Sequence, residues 1–236
     1  MNLTRTAEIF YDALLTLVYP QACVICDRSV EQRRFGVACE TCWKETRIFA
    51  EADAICWKCG MPGAACGRCE SLAFTTARAV GMYKGALRES VLLLKRQPYV
   101  PQEVESLLIA AVRREPLSLS TRVIPVPLHP KRLKTRGFNQ ASIIGHAVSK
   151  ALRLPLDEVS LVRVSTTEKY RAGMDAKGRR DTVTGAFHVA QPRLVADENI
   201  LLVDDVFTTG ATISACAEAL LMAGARDVYA ITIARA

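Results

Sequence analysis

The spacing of hydrophobic residues changes along the chain and becomes regular after about residue 76. From there, short continuous apolar runs alternate with longer runs that have helical spacing. This alternation indicates an α/β domain with a largely parallel sheet. Strands are predicted at 77–83, 122–126, 160–164, 185–190, 199–203 and 227–234, and helices at 85–96, 102–114, 139–152 and 210–223.

The first twenty residues have a separate, amphipathic pattern. Five apolar residues would share one face of a helix that Pro20 ends: Ile9, Phe10, Ala13, Leu14 and Leu17. Glu8 and Asp12 interrupt the apolar run, so the segment does not resemble a targeting signal. No apolar stretch is long enough to span a membrane. We therefore expect a cytoplasmic protein without a membrane partner.

The chain has 236 residues, of which half are hydrophobic. This length allows one domain of ordinary size and a small one. Combined with the pattern, it predicts an amphipathic helix at 1–20, a cysteine-rich segment at 21–72 and an α/β domain at 76–236. The net charge of +7 favours anionic partners such as phosphorylated metabolites or nucleic acid.

Eight of the nine cysteines form four C-x-x-C pairs, whereas Cys216 lies alone in a helical pattern as a small apolar residue. Two such pairs provide four thiolates for a tetrahedral metal, typical of structural zinc. The preferred grouping is sequential: Cys23, Cys26, Cys39 and Cys42 on one zinc, and Cys56, Cys59, Cys66 and Cys69 on the other. An interleaved grouping and an iron–sulfur cluster remain alternatives. Metal binding would supply folding free energy to a segment with few core residues.

Two adjacent acids follow the apolar run at 200–203. Asp204 and Asp205 would lie at the carboxyl end of a buried strand, where open α/β sheets bind ligands. Two carboxylates are costly to bury, so we expect them beyond the strand, in an exposed acidic turn. There they can accept hydrogen bonds from the vicinal hydroxyls of a ribose. The threonine-rich segment at 208–212 then opens a helix, and helix N-termini bind anions.

A basic segment follows the strand at 122–126. Lys131, Arg132, Lys134 and Arg136 lie within six positions, and arginine side chains suit pyrophosphate. A solvated charged turn is the alternative interpretation.

The segment at 200–212 (ILLVDDVFTTGAT) resembles the 5-phosphoribosyl-1-pyrophosphate (PRPP) signature of type I phosphoribosyltransferases. Together with the N-terminal C-x-x-C pairs, the V-P-L sequence with its basic turn, and R-G-F-N-Q, it resembles the ComF family over nearly the whole chain. That family includes amidophosphoribosyltransferase-like proteins linked to DNA uptake in competent bacteria. The resemblance implies a type I phosphoribosyltransferase fold with an N-terminal double zinc ribbon.

The resemblance also implies roles for individual residues. Asp204 and Asp205 would hold the ribose hydroxyls, and the segment from Thr208 to Thr212 the 5-phosphate. The PRPP-binding candidates are Asp204, Asp205, Val206, Phe207, Thr208, Thr209, Gly210, Ala211, Thr212, Val126, Pro127, Leu128 and Arg132. The catalytic candidates are Asp204, Asp205, Arg136 and Lys131. Magnesium would accompany PRPP.

A polar segment at 166–184 would close over PRPP as a mobile loop. It departs from the family pattern at Lys169, where a glutamine is usual, and near Thr182, where an asparagine is usual. Five residues are candidate cations for the transferred group: Lys169, Arg171, Lys177, Arg179 and Arg180. The alternative is that they only keep the loop solvated.

Two classes of function follow. The first is magnesium-dependent phosphoribosyl transfer from PRPP to an unknown acceptor. The second is a non-catalytic PRPP sensor or single-stranded-DNA adaptor in natural transformation. The expected partners are PRPP, the acceptor, single-stranded DNA or a competence helicase, and a second copy of the chain in a homodimer. Trp43, Trp57 and Phe35 among the basic residues of the ribbon would suit single strands. Alternatively, these rings pack the zinc knuckles and the ribbon covers the acceptor site.

Overall fold

The computed structural model describes residues 20–63, 66, 67, 69–164 and 186–236. The predicted N-terminal helix, apart from Pro20, and the predicted mobile loop at 166–184 lie outside these residues. Within the described ranges, no helix is both long and apolar enough to cross a membrane.

Among the described residues, six strands form two sheets. They are β1 (Thr76–Met82), β2 (Arg122–Pro125), β3 (Leu161–Arg163), β4 (Phe187–Val189), β5 (Asn199–Phe207) and β6 (Asp227–Arg235). The main sheet has the order β1-β6-β5-β2, and all its neighbouring strands are parallel. Strands β3 and β4 form a separate antiparallel pair. The predicted strands are therefore all present, with shifted ends.

Six α-helices accompany the strands in the described ranges: α1 (Glu40–Lys44), α2 (Gly85–Leu94), α3 (Gln102–Val112), α4 (Pro130–Arg136), α5 (Gln140–Leu152) and α6 (Ala211–Met222). The four predicted helices correspond to α2, α3, α5 and α6. Helix α4 occupies the basic segment that was expected to be a turn. It begins with Pro130, whose fixed φ suits a first helical position, and it ends at Gly137 with φ 83°.

The main sheet separates two halves of the core, because successive side chains of a strand point to opposite faces. On the first face, Leu201 and Val203 of β5 pack with helices α2, α3 and α5 and with the first half of the cysteine-rich segment. On the second face, Ile200 and Leu202 pack with α6, β3, β4 and the second half of that segment. The cysteine-rich segment therefore contributes to both halves of the core.

The chain between the two cysteine groups runs along the outer edge of β1. Phe49 donates its backbone N–H to the carbonyl of Val80 at 2.8 Å, and Met82 donates to Arg47 at 3.0 Å. A Cβ at Gly81 would lie only 2.2 Å from the Arg47 carbonyl oxygen, so glycine permits this approach. This path around the sheet edge lets the two cysteine groups reach opposite faces.

Candidate functional site

The adjacent acids lie inside β5 and not in a turn beyond it. Strand β6 stays paired with β5 as far as Phe207 opposite Arg235, whereas β2 ends at Pro125 opposite Val203. The expected acidic turn is therefore wrong, because pairing with the long neighbour β6 extends the strand. Asp204 and Asp205 are half-buried and not enclosed, since β2 no longer covers this part of β5.

Because the acids lie in a strand, their side chains point to opposite faces of the sheet. Asp205 faces the end of α2, where Lys95 Nζ lies 3.4 Å from its Oδ2. Asp204 accepts a 2.8 Å hydrogen bond from the backbone N–H of Asp205. Burial, and secondly the negative charge of Asp205, raise the pKa of Asp204 to about 7, while Lys95 and Arg163 act in the opposite direction.

The segment Thr208–Thr212, called the phosphate loop below, connects β5 to α6. Gly210 caps the helix with φ 81°, and a Cβ there would lie 2.6 Å from Cζ of Phe207. Thr208 and Thr209 are exposed. The backbone N–H groups at the start of this helix and the two hydroxyls provide hydrogen-bond donors for an anion.

The segment after β2 lies at the same end of the sheet as the acids. The backbone N–H of Val126 donates to Val203 at 2.9 Å, directly before Asp204 in β5. Asn139 Nδ2 donates a 3.0 Å hydrogen bond to the Val126 carbonyl. Pro127 and Leu128 are half-buried in the turn that follows. Parallel pairing of β2 with β5 therefore brings these two predicted binding segments together.

The predicted basic residues extend from this turn along α4. Lys131, Arg132 and Lys134 are exposed, and Arg136 is half-buried. His129 caps the helix, because its Nδ1 accepts the backbone N–H of Lys131 at 3.2 Å. The helix thus presents its cations to solvent beside the sheet end, where an anionic ligand has access to them.

Sequence reasoning gave no role in the site to three basic residues. Lys95 follows α2, Arg163 ends β3, and Arg235 ends β6. Lys95 and Arg163 both influence Asp204, and Arg235 lies over the ring of Phe207. The sequence signal that these three residues share is a basic residue at the end of an apolar element.

The first cysteine cluster consists of Cys23, Cys26, Cys39 and Cys42, whose sulfur atoms all lie within 4.8 Å of one another. Arg28 Nε approaches Cys26 Sγ at 3.4 Å, and this contact is the main reason that the pKa of the Cys26 thiol falls to about 6. A low pKa favours the thiolate, which is the metal-binding form. Four convergent thiols therefore fit a structural zinc ion.

The second cysteine cluster consists of Cys56, Cys59 and Cys69, again with sulfur atoms within 4.8 Å of one another. Cys66 is not one of this convergent trio, although its carbonyl accepts a 3.2 Å hydrogen bond from Cys69 Sγ. The cysteines are thus brought together in sequential and not interleaved order. Cys66 as the fourth ligand stays a prediction from the spacing.

Trp43 and Trp57 differ in their surroundings. Trp43 is buried in the first half of the segment, where its Nε1 donates to the Phe35 carbonyl at 2.9 Å. Trp57 is 69% exposed beside the second cluster. The packing interpretation therefore holds for Trp43 and not for Trp57.

Two compact thiol clusters joined to a parallel α/β domain define a two-part protein with structural metal sites. Residues 14–73 match the family model of the double zinc ribbon domain, so both sites are structural zinc sites. The parallel sheet flanked by helices and this ribbon confirm the predicted fold class.

Homologues extend over most of the chain. The chain is 29% identical over 231 residues to the DNA utilization protein YhgH of Escherichia coli O157:H7, an alignment that covers 93% of this chain and 99% of the relative. It is 29% identical to competence protein F of Haemophilus influenzae, covering 91% of this chain and 96% of the relative. These homologues confirm the resemblance to the ComF family.

Among solved structures, a glutamine PRPP amidotransferase from Bacillus subtilis complexed with ADP and GMP is similar with a TM-score of 0.41 and 15% identity. The similarity covers 60% of this chain and 30% of that one.

Proposed function

We propose that the protein binds PRPP together with Mg²⁺ and transfers its phosphoribosyl group to an acceptor. Asp204 and Asp205 accept hydrogen bonds from the ribose hydroxyls, and the phosphate loop holds the 5-phosphate. Val126, Pro127 and Leu128, with Lys131, Arg132 and Arg136 on α4, bind the pyrophosphate. Lys131 and Arg136 are the catalytic candidates on this side, because they would stabilise the charge of the leaving group.

One observation supports this proposal most strongly. The acids, the phosphate loop and the turn after β2 meet at the carboxyl end of two paired parallel strands, β2 and β5. Ligands of open α/β sheets bind at this end, and the helix N-terminus favours a phosphate group. The carboxylate oxygens also suit Mg²⁺, which prefers oxygen ligands and commonly binds with substrate phosphates.

The chemistry explains why charge is concentrated here. Phosphoribosyl transfer develops positive charge on the ribose and negative charge on departing pyrophosphate, so positioned charges stabilise both. Magnesium would supply neutralisation of the pyrophosphate when it is bound. The carboxylates beside the ribose and the cations of α4 beside the pyrophosphate match these two signs.

Calorimetric titration with PRPP and Mg²⁺ tests the proposal. The double variant Asp204→Asn, Asp205→Asn should abolish binding, because the groups that accept hydrogen bonds from the ribose hydroxyls lose their negative charge. The single variants separate the contributions of the two faces. A matched control replaces the adjacent acids Asp197→Asn and Glu198→Gln, which precede β5 at its other end. Equal PRPP affinity in the two double variants would refute the assignment.

Turnover is a separate measurement. Pyrophosphate release from PRPP in the presence of candidate acceptors, including purine and pyrimidine bases, reports transfer directly. Release that depends on one acceptor class and disappears in the Arg136→Gln variant supports catalysis. PRPP binding without release from any acceptor supports the non-catalytic sensor.

A second candidate function is single-stranded DNA binding by the zinc ribbon. The exposed ring of Trp57 stands beside Lys58, whose side chain is only partly buried. A stacking ring next to a cation suits single strands. The names of the homologues, which mention DNA utilization and competence, agree with this proposal.

The DNA-binding candidate has its own test. Trp57→Ala should weaken binding of a fluorescent oligothymidine at low salt by about tenfold, since one stacked base contributes about 1–3 kcal/mol. The control Trp43→Phe keeps an aromatic ring at a buried position and should bind oligothymidine like the wild type. If oligothymidine does not bind at low salt, or if Trp57→Ala binds it equally well, this candidate fails.

A further inference from the structure

Phe207, the last residue of β5, contacts both the phosphate loop and the surroundings of the second cysteine cluster. Its ring lies against Gly210, where a Cβ would be 2.6 Å from Cζ. On the other side, the guanidinium carbon of Arg235 lies 4.4 Å from the ring centroid. The ring of Phe74 packs edge-on at 5.9 Å. The position of this ring therefore determines how much room Gly210 has.

Arg235 connects this ring to the second cysteine cluster. The residue is only 6% exposed, and its guanidinium nitrogens contact residues of the cluster and its surroundings. Nη1 donates to the Cys59 carbonyl, Nη2 lies 3.7 Å from Cys59 Sγ, and Nε lies 3.2 Å from Met61 Sδ. A buried guanidinium needs such acceptors, so the cluster fixes the plane that stacks on Phe207.

Two further contacts join the same parts. The backbone N–H of Ala73 donates to Ser214 Oγ in α6 at 2.9 Å. A cavity of about 340 Å³ is lined by Met61 and Cys66 on the ribbon side and by Thr208 and Thr209 on the loop side. The second cluster therefore forms one wall of the space that the exposed threonines face.

We infer that Arg235 is a positioning residue through which metal binding at the second cysteine cluster holds the phosphate loop in its phosphate-binding shape. This inference rests on the proposed function and identifies how the 5-phosphate site is regulated. Because linkage is reciprocal, PRPP must then hold the metal of the second cluster more tightly, by the same factor. The first cluster lies on the other face of the sheet.

Arg28 provides a matched control, because it also donates to a cluster sulfur, Cys26 Sγ, but lies on the first face. Calorimetry should show PRPP affinity about tenfold weaker in Arg235→Met than in the wild type, within the range usual for coupled sites. Arg235→Lys should recover part of the loss, since it keeps the charge over Phe207. Arg28→Met should bind PRPP like the wild type.

Zinc release to a chromophoric chelator tests the reciprocal effect. PRPP should slow the release of one of the two zinc ions in the wild type and in Arg28→Met, and should have no effect in Arg235→Met. If Arg235→Met binds PRPP as tightly as Arg28→Met, or if PRPP still slows its zinc release, the inference is wrong. Should Arg235→Met not fold, Phe207→Leu removes the same ring contact and must give the same results.

Hydrogen exchange separates this inference from the proposed function. If the wild type binds no PRPP, the proposed function fails, but the zinc-loaded proteins still allow a test. Amides of residues 208–214 should exchange faster in Arg235→Met than in Arg28→Met, because the loop loses its support. Equal exchange in these two variants would overturn the inference.

Discussion

The two cysteine clusters have similar spacing but different neighbours. The first is surrounded by buried Phe35 and Trp43 and shares a core with α2 and α3. The second has the exposed Trp57 beside it. It is connected to the phosphate loop by Arg235, which contacts Cys59 and the ring of Phe207 directly before the loop. The difference suggests separate roles for equivalent metal sites: we expect the first to stabilise the helical half of the core, and the second to shape the candidate ligand site.

The largest expected effect separates the clusters by stability. Cys42→Ser removes a buried ligand of the first cluster and should lower the free energy of unfolding by at least about 5 kcal/mol, as loss of a structural metal does. This corresponds to about 10–20 °C in melting temperature for a chain of this size. Differential scanning fluorimetry and zinc analysis measure the loss.

Cys69→Ser makes the same replacement in the second cluster. Its melting temperature should fall less, because three sulfur atoms converge in the second cluster and four in the first. Its PRPP affinity should fall more than that of any folded first-cluster variant. Equal melting temperatures and equal affinities would remove the distinction between the clusters.

A medium effect on stability and PRPP affinity is expected at Gly210, beside Phe207 on the second face. Gly210→Ala places a methyl group against Phe207 in a left-handed conformation and should cost about 2–3 kcal/mol of stability and most of the PRPP affinity. Gly137→Ala is the control: it has the similar φ of 83°, but among the described residues no atom lies within 4 Å of the new Cβ. It should cost only about 1 kcal/mol, by urea unfolding. Equal costs would mean that contact with Phe207 is unimportant.

The smallest effect concerns pH and sharpens the contrast between the acids of the two faces. The pKa of Asp204 is raised to about 7 in the folded protein, from an ordinary value of 3.8. Its protonated form therefore stabilises the fold fully below about pH 4, and this contribution is lost as pH rises through 7. PRPP needs the ionised acceptor, so its affinity should instead rise, by up to about tenfold between pH 6 and 8.

Calorimetry at several pH values checks this opposition. Asp204→Asn should flatten both profiles. Asp205→Asn should move them to lower pH, because the second contribution to the raised pKa of Asp204 is the charge of Asp205. Profiles that are unchanged in Asp204→Asn would assign the titration to another group.

Much of the fold could be predicted because each strand and helix carries its own periodic pattern. The end of β5 could not, because its length depends on pairing with β6, which lies twenty residues further along the chain at Asp227–Arg235. Helix α4 was missed for a local reason. Its seven residues have no buried side chain, so no apolar periodicity marks it.

The site was predictable where it is continuous in sequence. Asp204, Asp205 and the phosphate loop follow one another, and the turn after β2 precedes a distinct R-G-F-N-Q string. Arg235 could not be found in this way, because its contact with Cys59 joins residues 176 positions apart. The opposite directions of the two acids became evident only when the strand was seen to continue through them.

The path of residues 47–49 along β1 has a consequence for the outer edge of the main sheet. An uncovered outer strand offers free N–H and C=O groups to other chains, and natural sheets protect such edges. Here the linker between the clusters provides this protection, and within the second cluster the Lys58 carbonyl accepts the backbone N–H of Ala77 on the same strand. A shortened chain beginning at Thr76 would lose this cover and part of both core faces. We expect it to self-associate through β1, which the ribbon would prevent in the full chain.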